Sequence, residues 1–246
     1  MSRIYLILGG SSDLGCALLK RLNHEQKNSV FLMHYYSSDD NIKSIEAENG
    51  NVIKTLWADL SKKEEVQRLI DRIENEYVTP THIVHFPASK FEYMKLKNFS
   101  DEVLQKDMEI QVYSLIQILK SFLPEMIKIE EKAKVVAMLS SYTFSVPPKY
   151  MMNYIISKYA LLGLVKSLAS DYAGKNVCIN GISPSMIETK FLSEIDERII
   201  AINADNSVGK KNAVPEQIIP AIVFLLSADS DYITGINLNV SNGNNM

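Results

Sequence analysis

Cysteine is scarce. Only Cys16 and Cys178 stand in 246 residues, far apart and each in an apolar segment. A disulfide framework is therefore excluded, and a reducing compartment such as the cytoplasm is expected. Long apolar runs are also missing. None approaches the roughly 20 residues that cross a bilayer, so no membrane partner is expected. The N-terminal run up to Leu8 is too short for a signal-peptide core and reads as a first strand. No charge sign dominates. Lys and Arg number 26 against 29 Asp and Glu, giving a net charge of −3, which excludes a basic nucleic-acid surface. Repeats, low-complexity tracts and Pro/Gly-rich linkers are absent too, so residues 1–246 read as one domain. No metal site is expected.

What is present is an alternation. Short apolar runs at Arg3–Leu8, Val30–His34, Val52–Trp57, Ile83–Phe86, Lys134–Ser140, Val177–Ile182 and Asn237–Val240 predict strands. Amphipathic segments such as Glu64–Glu76 and Glu102–Ile127 lie between them. This order predicts βαβ units and a parallel sheet of about seven strands, covered on both faces. The hydrophobic share of 46% is ample for such a core. Glu188–Val214 is the least periodic stretch and reads either as a mobile flap or as a surface connection with a short helix.

Two clusters carry chemistry. Gly9-Gly10-Ser11-Ser12-Asp13-Leu14-Gly15 follows the first strand and opens a helix. Glycines there let the chain turn sharply and let a pyrophosphate approach the N–H groups at the helix N-terminus. Asp13 brings a carboxylate to that place. It is expected to turn away and cap the helix by accepting from N–H groups one turn in. Further on, Tyr154 and Lys158 stand four apart, on one helical face. An ammonium beside a phenol stabilises the phenolate and lowers its pKa, turning a weak acid into a usable one.

In this order the segments resemble the classical short-chain dehydrogenase/reductase family, nearest its 3-oxoacyl-[acyl-carrier-protein] reductase-like branch. The glycine stretch is similar to the family's TGxxxGxG loop, with Leu8 for the Thr and Asp13 for the middle Gly. Tyr154 and Lys158 match its YxxxK pair. Ser141 lies thirteen residues before Tyr154, an interval resembling the family's Ser–Tyr spacing. Strand alternation is expected to send neighbouring Ser140 to the opposite face, so Ser141 is the expected donor to the substrate oxygen. Gln111 stands where the family has a helix-distorting Asn that holds a relay water. Phe86-Pro87-Ala88-Ser89 stands for NNAG, keeping only Ala88. Asn180 to Thr189 resembles the N-x-x-x-P-G-x-x-x-T run, with Ser185 for Gly.

The resemblance implies a Rossmann-like α/β fold and hydride transfer between a nicotinamide cofactor and a small carbonyl or alcohol substrate, possibly a 3-oxoacyl thioester. A binding or scaffold protein without turnover is the alternative. Implied cofactor contacts are Gly9, Ser11, Ser12, Asp13, Leu14, Gly15, Asp59, Leu60, Ala88, Tyr154, Lys158, Pro184, Ile187 and Thr189. Tyr36 and Ser37 are expected at the adenosine ribose. No acid occupies Tyr35 or Tyr36, so NADP(H) is favoured over NAD(H), against the opposing presence of Asp39 and Asp40. Phe144, Val146, Pro147, Pro148, Tyr150, Met151 and Met152 are expected along one substrate wall. A homodimer or homotetramer is expected through Glu102–Ile127 and Tyr150–Tyr172, the latter rich in apolar residues.

Overall fold

A computed structural model describes residues 3–89 and 93–244. Seven parallel strands form one sheet: β1 (Ile4–Leu8), β2 (Val30–Tyr35), β3 (Val52–Trp57), β4 (His82–His85), β5 (Ala133–Met138), β6 (Val177–Pro184) and β7 (Asn237–Val240). Their order is β3-β2-β1-β4-β5-β6-β7. The sheet starts at β1 and winds outward in both directions, so the chain reverses between β1 and β4. Ligands of open α/β sheets bind at the strand C-terminal ends at such a switch point.

The strand composition follows from burial on both faces. In β1, Leu6 and Leu8 face α3 (Lys63–Glu76), α5 (Ser114–Met126) and α6 (Met152–Asp171), while Tyr5 and Ile7 face α1 (Asp13–Glu25) and α8 (Pro215–Leu226). All five β1 residues are buried, which is why no polar residue interrupts the run. Each such side chain stabilises the fold by about 1.5–3 kcal/mol.

Two boundaries differ from the sequence reading in ways that matter, while Glu188–Val214 carries the short helix that one of its readings expected. The expected helix Glu102–Ile127 is broken into α4 (Asp101–Met108), a π turn (Glu109–Tyr113) and α5. The π turn inserts one extra residue per turn and swings Gln111 inward, where it is buried. The expected strand Lys134–Ser140 ends at Met138, and a 3₁₀ turn follows at Ser141–Thr143. Within Glu188–Val214 the chain forms a 3₁₀ turn, Lys190–Leu192, and a helix, α7 (Glu197–Asn206).

Candidate active site

The strand C-terminal ends open into a cavity of about 1400 Å³. The glycine loop forms its floor. Gly9 adopts a left-handed φ of 71° that a side chain would strain. A Cβ on Gly15 would lie 2.5 Å from the Gly10 carbonyl oxygen, so Gly15 serves close packing of helix on loop and does not line the cavity. Gly9, Ser11, Ser12, Asp13 and Leu14 all do line it.

His34 fixes this loop from below. Its Nε2 donates to the Ala58 carbonyl at 3.1 Å, leaving Nδ1 to accept from the Gly9 N–H at 3.0 Å, and its own carbonyl accepts from the Gly10 N–H at 2.7 Å. Burial pushes its pKa down to about 4, which keeps it neutral for this role. Sequence reasoning did not single out His34, because only the pairing of β1 with β2 brings it beneath the loop.

The expected capping role of Asp13 is corrected. Ser12 is the N-cap, its Oγ accepting from the Gly15 N–H at 3.1 Å. Asp13 is the first helical residue, so its carboxylate points off the helix end and accepts instead from the Lys190 N–H at 2.6 Å. Asp59 opens a turn, accepting from the Ser61 N–H and hydroxyl at 3.0 and 2.7 Å, while also lining the cavity. Leu60, Tyr36, Ser37, Ala88, Pro184, Ile187 and Thr189 line it as well.

At the far end lie Tyr154 and Lys158, both on α6. Lys158 is buried, and its Nζ donates to the Met138 carbonyl at 2.9 Å. Burial lowers its pKa to about 7, opposed by the negative charge of Asp107. Burial likewise pushes Tyr154 up to about 12, opposed by a hydrogen bond with Ser140. Burial thus dominates here, and the Tyr154 phenol stands above its ordinary value, where the sequence reading expected it lowered.

That hydrogen bond adds Ser140 to the expected Ser141: both serines line the cavity, and the Ser140 hydroxyl is hydrogen-bonded to Tyr154. The strand has ended before either serine, so pleat alternation no longer governs them, and a residue count across an irregular loop does not fix a register. Gln111 does not line the cavity; its Nε2 donates to the Ser157 hydroxyl at 3.1 Å. Of the expected substrate wall, Pro148 and Met151 line the cavity, whereas Phe144, Val146 and Tyr150 are exposed.

Of the lining residues that escaped the sequence reading, two bear on the chemistry. Asp107 is buried, one turn before Gln111 on the same helical face, and that spacing was the available signal. Tyr142 follows Ser140 by two and hydrogen-bonds Asn203 of α7, joining the site to its roof. Among the described residues, no group of three or more His, Cys, Asp or Glu is placed to hold a metal, and no helix is long and apolar enough to cross a membrane.

A family model described as Enoyl-(Acyl carrier protein) reductase matches residues 11–245. This chain belongs to the short-chain dehydrogenase/reductase family. It falls in the branch similar to 3-oxoacyl-[acyl-carrier-protein] reductases. The Dehydrogenase/reductase SDR family member 4 of Oryctolagus cuniculus is 27% identical to it, over 98% of this chain and 93% of the relative. The 3-oxoacyl-[acyl-carrier-protein] reductase of Haemophilus influenzae is 25% identical, over 98% of this chain and 97% of the relative. Among solved structures, a 3-oxoacyl (acyl-carrier-protein) reductase from Agrobacterium tumefaciens with NADP bound superposes with a TM-score of 0.86. It is 22% identical, over 98% of this chain and 93% of the other, and so speaks for the fold. As a family member, this short-chain dehydrogenase/reductase is an NAD(P)-dependent oxidoreductase, and the scaffold alternative is set aside.

Proposed function

We propose that this short-chain dehydrogenase/reductase reduces a ketone, or oxidises the matching alcohol, with NADP(H) preferred over NAD(H), and that 3-oxoacyl thioesters are among its substrates. One observation carries the reading: the Tyr154 phenol, hydrogen-bonded to Ser140, stands beside Lys158 in the same cavity as the glycine loop. The residues present fit a dinucleotide. Gly9 leaves its loop free of side-chain bulk, the α1 N-terminus faces the cavity, and the volume exceeds the roughly 300–1,000 Å³ of an ordinary ligand pocket. Gly9, Ser11, Ser12 and Leu14 would hold the pyrophosphate, Asp59 and Leu60 the adenine, and Lys158 the nicotinamide ribose.

Bound in this cavity, a nicotinamide cofactor supplies or takes up a hydride. The chain's own residues handle the proton. Tyr154 gives its phenolic proton to the carbonyl oxygen as that oxygen becomes an alcohol. Ser140 donates to the same oxygen and holds the charge developing on it. Lys158, when protonated, stabilises the phenolate that Tyr154 becomes. Phe191, Leu192 and Ile195 present an apolar roof that shields this exchange from water.

The preference for NADP(H) rests on the end of β2. Ser37 lines the cavity there, while Asp39 is drawn into an ion pair with Lys43 at 3.0 Å. Asp40 also lines the rim and opposes a 2′-phosphate, which keeps the preference modest. Assembly through α4, α5 and α6 is supported by the exposed apolar side chains of Tyr113, Ile116, Ile156 and Tyr159. Two free thiols fit a reducing compartment such as the cytoplasm. A panel of ketones and 3-oxoacyl thioesters, assayed with NADPH and NADH, tests the whole reading. No turnover on any of them would end it.

A further inference from the structure

Asp13 stands where the family pattern has a glycine, and its carboxylate meets a partner 177 residues away. Its Oδ2 accepts from the Lys190 N–H at 2.6 Å. Lys190 opens the 3₁₀ turn whose next two residues, Phe191 and Leu192, line the cavity roof. The roof continues into α7, and none of the residues of that helix is buried. Its packing is limited to the half-buried Ile199, Ile200, Asn203 and Ala204. The base of the segment is held by the bridge between Ile187 and Ala213, and its far end by the bond between Tyr142 and Asn203. Between these two points Leu192 and Ile195 are buried and Asn212 Nδ2 donates to the Ile200 carbonyl at 3.2 Å, and the Asp13 carboxylate joins the start of the segment to the glycine loop.

We propose that Asp13 is a positioning residue, fastening the roof over the substrate to the loop that takes the cofactor's pyrophosphate. The pyrophosphate half of this statement rests on the function proposed above; the fastening does not. The arrangement has an electrostatic consequence. Asp13 sits at the positive end of α1, so its charge gains from the helix dipole in the absence of another anion. A pyrophosphate entering the same end meets a fixed negative charge. The carboxylate thus holds the roof in place at a cost in cofactor affinity, and the two effects separate by substitution. An Asn side chain keeps the accepting oxygen and loses the charge. An Ala side chain loses both.

A second variant reaches the bond from the other side. Lys190→Pro removes the donor N–H and leaves Asp13 intact. Proline is tolerated as the first residue of a helical turn, and Thr189 before it is already extended, at φ −146° and ψ 168°.

The experiment is amide hydrogen exchange over residues 189–206 in the cofactor-free protein, with NADPH affinity and the carbonyl KM and kcat measured beside it. Asp13→Ala and Lys190→Pro should each speed exchange of this segment by roughly five- to tenfold, the loss expected for one hydrogen bond of ordinary net strength. The carbonyl KM should rise by a similar factor, and kcat less. Asp13→Asn should restore exchange and KM to within about twofold of the wild type, and it should bind NADPH more tightly than the wild type. Wild-type exchange rates in both Asp13→Ala and Lys190→Pro would overturn the fastening. Unchanged or weaker NADPH binding by Asp13→Asn would overturn the cost in affinity. A wild type that binds no nicotinamide cofactor would overturn the proposed function instead, and exchange would still decide the fastening.

Discussion

The Lys158 ammonium lies 5.6 Å from the centre of the Tyr154 ring while donating to the Met138 carbonyl. One backbone oxygen at the end of β5 thus aims the cation that supports the acid. Burial brings that cation to about 7, so it discharges as pH rises through neutrality. Cofactor affinity of the free enzyme should accordingly fall above about pH 7. Asp107→Asn removes the charge that opposes the lowering and should shift this fall to lower pH. Isothermal titration from pH 6 to 9 would show it; an unmoved profile would remove Asp107 from the account.

The two serines are expected to separate cleanly. Ser140→Ala should lower turnover by roughly a hundred- to a thousandfold, as for a lost oxyanion donor, with little change in cofactor affinity. Ser141→Ala should cost far less. The reverse ranking in steady-state kinetics would restore the thirteen-residue count. Tyr154→Phe, which removes the proton itself, should cost roughly a hundred- to ten-thousandfold.

Cofactor choice should respond to one carboxylate at the rim. NADPH should bind more tightly than NADH, and Asp40→Asn should widen the gap by relieving repulsion of the 2′-phosphate. Fluorescence titration of both nucleotides reads this directly. Tighter binding of NADH by the wild type would reverse the assignment.

Buried histidines should make the protein acid-sensitive. His34 and His82 are pushed down to about 4 and His85 to about 3, all mainly by burial. Between these values and the ordinary 6.5 the unfolded chain binds more protons, so stability rises with pH there and is lost as pH falls from about 6.5 toward 4. A tenfold difference in proton affinity between the folded and unfolded chain corresponds to about 1.4 kcal/mol. Thermal unfolding should show Tm falling over this window. His82→Gln, which keeps a donor toward the Leu226 carbonyl that His82 Nε2 contacts at 3.1 Å, should flatten the slope. A slope unchanged in that variant would assign the effect to other groups.

Association should be isologous and apolar. Light scattering at micromolar concentration should find a dimer or tetramer, and Ile156→Glu together with Tyr159→Glu should release monomers that remain folded. A monomeric wild type would end the proposal.

The sequence by itself determined the architecture, the glycine turn after β1 and the placing of Tyr154 and Lys158 one turn apart on a helix. These are local quantities. Apolar runs of strand length, glycines at a strand end and a four-residue spacing on a helix each have one physical meaning wherever the chain places them. Tertiary structure alone decided the rest. Ser140 joined Ser141 at the cavity because the loop after Met138 leaves the strand pleat, so alternation no longer sends the two to opposite faces. Asp13 became a fastener and Ser12 the cap because Lys190, remote in sequence, presents its N–H to the end of α1. His34 came under the glycine loop, and Asp107 came to face Lys158, only once β2 lay beside β1 and α4 beside α6. Hydrogen bonds and charges act over a few ångströms in space, and sequence distance carries no record of that proximity until the chain has folded.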